Sequence, residues 1–317
     1  MSVVATPPST GPTPAIADTA WSAGRLGARQ GERRILFGRM YEDAEVERAV
    51  FAGKGRVFCI ASAGDTALAL AEEHEVVACD INPVQLEYAR ERGQGAPRRV
   101  GDADRAMAAM RRLMPQIGWS RGLLEEFLSM RDVEAQSEFW HRNLDTWRFR
   151  KGMELLMSRA VLRRVYSEPL LAALEPEFGK VLCQRMERTF SRHPNAENPY
   201  ARALLLGEAE EQAIDMARGG SVTWRDGDAA SVLEALAEGS VEGFTLSNIL
   251  DGASAGYRER LMRAVARASA AGAMLVLRTF GRSTGFPFCE DWSERDRSIL
   301  WGEVTVATAD HYLSVLG

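Results

Sequence analysis

Two hydrophobic rhythms alternate along this chain, and the changes between them divide it into three parts. From Arg56 the text runs "RVFCIAS", then "DTALALAEE", then "EVVACD": a short apolar run, a stretch at helical spacing, and a second apolar run closing on an aspartate. Strand, helix and strand within about thirty residues form a βαβ unit, whose crossover implies a parallel pair. Upstream, from Trp21 to Phe51, apolar residues Ile35, Phe37, Met40, Val46 and Val50 fall at mixed helical spacing broken at Gly38, so helices are expected there.

After "INPVQLEYARER" the strand rhythm stops for more than a hundred residues. Met107, Met110, Leu113 and Met114, then Phe139, Leu144, Trp147, Met153 and Leu156, recur at helical spacing, and the period marks them as core. Residues 102–218 therefore read as a helical insertion with a break at "SRHPNAENPY"; only "VLCQRM" offers a strand signal. The strand rhythm returns with "SVTWRDGDA", the helix "ASVLEALAEG", the strand "GFTLSNIL", the helix "YRERLMRAVARASAAG" and the strand "AMLVLRTF". Ala271 and Gly272 close that last helix, and "GEVTVATA" reads as an antiparallel edge strand. The sum is an α/β chain: an open Rossmann-like sheet of the class I methyltransferase type, with six or seven strands and a helical insertion between the second and third. Residues 1–20 read as a disordered tail, 21–101 as N-terminal helices and the first half of the sheet, 102–218 as the insertion on the acceptor side, and 219–317 as the second half.

Composition narrows the partners. A formal net charge of -5 argues against a phosphate-backbone binder, so no nucleic acid is expected. The tail "MSVVATPPSTGPTPAIADTA" lacks the basic start and apolar centre of a secretory signal. No apolar run approaches the ~20 residues of a membrane span, so no stable membrane insertion is expected. Cys59, Cys79, Cys183 and Cys289 show no CxxC spacing, which points to reduced thiols in a cytoplasmic protein and to no metal site.

Candidate chemistry lies beyond the carboxyl ends of the strands, where open parallel sheets bind ligands. The first strand ends at "ASAGD", whose small residues Ser62, Ala63 and Gly64 let a ligand approach the backbone. Neither GxGxxG nor GxxxxGK[ST] is present, so the ligand carries little phosphate. Asp80 closes the second strand sixteen residues after Gly64, where a carboxylate accepts two hydrogen bonds from a ribose diol. The alternative is that Asp80 caps the helix beginning near Pro83. A nucleoside without pyrophosphate fits S-adenosylmethionine best, with Ile81 and Asn82 beside Asp80. Asp226, Gly227 and Asp228 after the third strand form either an acceptor for an adenine amino group or a plain turn. Ser247, Asn248 and Asp251 after the fourth strand face the reacting end.

The blocks "FGRMYEDAEV", "CIASAGDTALAL", "VVACDINPVQL", "NPYARALLLG", "FTLSNIL" and "DRSILWGEVTVA" resemble the diacylglycerol 3-amino-3-carboxypropyltransferase family of betaine-lipid synthesis, from about Phe37 to Ala307. Tyr41 stands where that family has tryptophan. The resemblance implies a methyltransferase-like fold that moves the aminocarboxypropyl arm of S-adenosylmethionine onto an alcohol and releases methylthioadenosine. The acceptor is then a small-molecule or lipid-like hydroxyl compound. A positioned base can take its proton, and the candidates are Tyr41, Glu42 and Asp43 in "MYED", His141 and His193 in the insertion, and Asp251; the alternative is that orientation alone suffices, since the sulfonium is already a good leaving group. An ordinary methyltransferase and a non-catalytic nucleoside-binding module are the competing readings.

Overall fold

A computed structural model describes residues 32–164, 166, 168–208, 221–286 and 289–310; the expected tail and residues 21–31 of the expected N-terminal helices lie outside them. Seven strands form one sheet: β1 (Arg56–Ile60), β2 (Glu75–Asp80), β3 (Val222–Asp226), β4 (Val241–Thr245), β5 (Ser269–Thr279), β6 (Glu290–Asp291) and β7 (Glu303–Thr308). Their order is β3-β2-β1-β4-β5-β7-β6. Strands β1 to β5 pair in parallel, and β7 runs antiparallel to β5. This is the methyltransferase-type open sheet.

The first helices are α1 (Ala44–Val50), α2 (Asp65–Leu70) and α3 (Pro83–Gly93). Between β2 and β3 come α4 (Asp102–Arg111), α5 (Arg121–Leu128), α6 (Val133–Phe139), α7 (Trp147–Leu156), α8 (Arg159–Leu162), α9 (Glu168–Ala173), α10 (Phe178–Phe190) and α11 (Pro199–Leu206). Helices α12 (Ala229–Ala235) and α13 (Ala255–Ala268) connect the later strands.

The apolar strands follow from burial on both faces. Side chains alternate along a strand, so Val57 and Cys59 of β1 pack with α1 to α3, while Phe58 packs with α12 and α13. Each such Val or Phe contributes roughly 1.5–3 kcal/mol by leaving water. Gly243 on β4 admits Phe51 here, since a Cβ at that position would lie 2.8 Å from the ring. The insertion has its own aromatic core, in which Trp119 stacks on Phe149 at 4.5 Å and Phe127, Trp140 and Phe190 close around them. It is fastened to the sheet by Arg185 of α10, which donates to the carbonyls of Leu300 and Phe280 at 2.6 and 2.7 Å. Burial without a contacting carboxylate lowers its pKa to about 10.

Four local expectations are corrected. "VLCQRM" lies in α10, with Leu182, Cys183 and Met186 buried on one side. Residues 32–43 are not helical, because side chains claim the backbone. The amides of Leu36 and Phe37 donate to Gln85 Oε1, that of Gly38 to Asp104, and that of Met40 to Asp65. The segment is thus an extended strap across the ends of β1 and β2. Ala271 and Gly272 belong to β5, since α13 stops at Ala268. Strand β7 is inside the sheet, flanked by β5 and the two-residue β6. Among the described residues no helix is long and apolar enough to cross a membrane.

Candidate functional site

Two adjacent strand ends set the floor of the site. After β1 the chain turns through Ser62, whose φ is +44°, and Gly64, whose φ is +88°. After β4 it turns through Ser247, with φ +51°. Serine rarely adopts this left-handed region, and such conformations collect at ligand sites where the surroundings impose them. At Gly64 a Cβ would also press on Ala89 at 3.3 Å, so α2 and α3 approach through that glycine.

Asp80 is held by the same turns. One oxygen accepts the Ser62 amide at 3.0 Å and the other the Asn82 amide at 2.8 Å. Each oxygen keeps acceptor capacity for a diol. Burial pushes the carboxyl up to about 7 against these two amides, with Asp226 adding repulsion. Asp80 is not the cap of α3: the Asn82 side chain accepts from Val84 at 3.2 Å, with Pro83 at the first helical position.

A cavity of about 90 Å³ opens here, and Ser62, Asp80, Ile81, Gly227, Asp228, Ser247 and Asn248 all line it. Ala63, Gly64, Asn82 and Asp226 shape the surrounding turns without being among its lining residues. Asp228 faces the cavity, but its carboxylate is spent as the cap of α12, accepting from the Ser231 amide and hydroxyl. Leu36, Phe37, Cys79, Gln85 and Tyr257 also line the cavity. Gln85 was within reach of sequence reasoning, because it stands in the "DINPVQL" block. Leu36 and Phe37 were not, since only the strap brings them there.

The proposed bases disperse. Asp43 is buried as the cap of α1 and is gripped by Arg297, with Nε–Oδ2 2.5 Å and Nη2–Oδ1 2.7 Å. Burial raises its carboxyl, but the Arg297 fork outweighs this and holds it below the usual carboxylate range. Tyr41 is buried, its phenol raised chiefly by burial with Arg39, Asp104 and Arg111 nearby. His141 is half exposed in the insertion, 3.5 Å from Glu187 and 3.8 Å from Asp145, and lines neither cavity described here. His193 sits against the Glu294 carbonyl at 2.8 Å.

Glu42 and Asp251 do reach the site. Glu42 is buried and accepts a hydrogen bond from Ser247 Oγ, and burial raises it to about 7 although Arg278 opposes the shift. Asp251 accepts from Thr279 Oγ1 at 2.6 Å, the Phe280 amide at 2.9 Å and Asn248 Nδ2 at 3.3 Å. Burial raises its carboxyl too. Asp251 lines a second cavity of about 410 Å³, walled by Glu175 and its neighbours after α9 and by Arg258, Thr279 and Thr284 of the sheet side. The Asn248–Asp251 hydrogen bond therefore bridges the walls of two cavities.

The strand order is that of the methyltransferase-type open sheets. No family model and no curated protein matches the chain. Two solved structures do, both of the rRNA methyltransferase aviRa from Streptomyces viridochromogenes. One is 13% identical and covers 86% of this chain and 84% of that chain, with a TM-score of 0.35. The other is 12% identical and covers 85% and 83%, also with a TM-score of 0.35.

The exclusion of nucleic acid drawn from the net charge is withdrawn, because the matching structures are rRNA methyltransferases. Net charge is also a poor guide to this surface. Among the described residues six carboxylates (Glu42, Asp43, Glu47, Asp228, Asp251 and Asp296) but only two arginines are buried, while Arg131, Arg142 and Lys151 of the insertion reach solvent.

Proposed function

We propose that the chain is an S-adenosylmethionine-dependent transferase that moves the 3-amino-3-carboxypropyl group onto an acceptor hydroxyl. The observation that carries the cofactor is Asp80: a half-buried carboxylate framed by two amides, at the switch point of the sheet, beside a turn with no phosphate cradle. Its unspent lone pairs suit a ribose diol, and Ser62, Gly227, Ser247 and Asn248 would hold the rest of the donor. When bound, S-adenosylmethionine supplies carbon atoms made electrophilic by a sulfonium. Which carbon reacts is a matter of orientation, and the choice of the aminocarboxypropyl arm rests on the family-like blocks around "IASAGD" and "DINPVQL". The second cavity, with Asp251 on its wall, is the proposed acceptor side; there Asp251 would accept the hydroxyl proton.

Methyl transfer is the second reading, favoured by the strand order β3-β2-β1-β4-β5-β7-β6. Two samples of S-adenosylmethionine, labelled in the methyl group or in the carboxyl carbon, separate the readings when incubated with the protein and a cell extract. Carboxyl label in a product together with methylthioadenosine is the expected result. Methyl label in the product with S-adenosylhomocysteine would replace the first reading by the second.

A further inference from the structure

Around Arg278 the carboxylates outnumber their cation. Arg278 of β5 is buried and grips Glu47 of α1 through Nη1 and Nη2, the latter at 3.0 Å, and Asp296 through Nε at 3.1 Å. Glu42 is left at 3.8 Å from Nη1, and its other oxygen is engaged by Ser247. The charged and titratable groups that face Glu42 are Glu47 from α1, Cys59 from β1, Arg278 from β5 and Asp296 from the segment before β7. One guanidinium thus serves three carboxylates. Ser247, meanwhile, lines the first cavity in a left-handed conformation. Glu42 stands one hydrogen bond behind the cavity wall.

Resting on the reading that S-adenosylmethionine is the donor, we propose that Glu42, acting through Ser247, is the counter-charge to the donor's sulfonium, so that the site distinguishes S-adenosylmethionine from its neutral thioether product. A positive charge arriving in a partly dry site favours the ionised carboxylate. Glu42, whose carboxyl burial holds up to about 7, then gives its proton to solvent as the donor binds. After transfer the sulfur is neutral, the proton returns, and the spent nucleoside loses the attraction that held the donor. Glu42 is a positioning residue in this account, and the charge it presents makes one ligand preferable to another.

Calorimetric titration at about pH 6, in buffers of different ionisation enthalpy, counts the protons released. S-adenosylmethionine is expected to release close to one proton more than methylthioadenosine. Asp80 responds to the ribose of both ligands and cancels in the difference. In Glu42→Gln the excess release disappears, and the affinity ratio between the two nucleosides falls roughly tenfold at pH 8. Ser247→Ala, which cuts the link without emptying the buried cluster, is expected to lower the same ratio. Equal proton release by the two ligands, or an excess that persists in Glu42→Gln, overturns the proposal. Failure of both nucleosides to bind overturns the donor reading with it.

Discussion

Glu42 and Asp43 are neighbours in the chain, both buried, and their carboxyl groups shift in opposite directions. Burial raises both. Asp43 meets a guanidinium fork that does nothing else with those nitrogens, whereas Glu42 meets a hydroxyl and the far side of an arginine committed elsewhere. Burial also leaves Asp296 above its ordinary value, because Arg278, which it shares with Glu47, only partly opposes the shift. What decides whether a buried acid fastens the fold or stands ready for a ligand is the exclusivity of its cation, and depth of burial does not discriminate. Asp80 falls with Glu42: it has amides and no contacting cation.

The largest expected effect comes from removing the shared cation. Arg278→Leu strands Glu47 and Asp296 in a dry interior, and breaking a buried pair from one side costs about 3–5 kcal/mol. Denaturant unfolding at neutral pH should show a loss of that size; a loss below about 1 kcal/mol would mean that the cluster is already neutral through bound protons. On the ligand-ready side, Asp80→Ala should weaken S-adenosylmethionine binding by roughly 2–4 kcal/mol, thirtyfold or more, while the circular dichroism spectrum stays native. Unchanged affinity in the folded variant would remove Asp80 from the site.

The pH dependence sharpens the contrast. Glu42 ordinarily titrates at 4.5 and is raised to about 7 in the fold. The native state therefore keeps a proton that the unfolded chain has lost, and the stability this provides is full below pH 4.5 and lost as pH rises towards 7. At 1.36 kcal/mol per unit the decline amounts to at most about 3 kcal/mol, and Glu42→Gln should flatten that part of the profile. Asp43 behaves oppositely: its contribution is present above the ordinary carboxylate range and fades as the solution is made more acid. The smallest effect is expected at an uncharged fastening, where Asn82→Ala removes the cap of α3 at a cost of about 1 kcal/mol, read from the unfolding midpoint.

Much of the fold was legible because β1, β2 and β5 are buried runs separated by helices that announce their own period. The turns carrying Ser62, Asp80, Gly227, Ser247 and Asn248 were legible from position alone, since strand ends converge on one edge of a parallel sheet. The strap at 32–43 was not. Its apolar spacing mimics a helix, and the groups that pull it straight are Gln85, Asp65 and Asp104, tens of residues away. "VLCQRM" misled for the reverse reason, a short apolar run whose helical neighbours on both sides were underweighted. Nor does any local pattern tell that Arg278 meets Glu47 across 231 residues, although that meeting separates Glu42 from Asp43 in kind.

The place of the insertion bears on how the molecule assembles. Val76 of β2 pairs with Val222 of β3, so 146 positions of chain close into a loop before the edge of the sheet is complete. The equilibrium cost is modest, because each doubling of loop length adds only about 0.6 kcal/mol. The cost in time is larger, since pairings between distant segments slow folding. Gly227 follows directly on β3, and its turn supplies part of the cavity wall. That wall is consequently delivered by a segment that reaches the sheet only after a whole helical body has been threaded between it and its partner, so a chain in which β1 and β2 have already paired still waits on a distant segment for one side of its binding cleft.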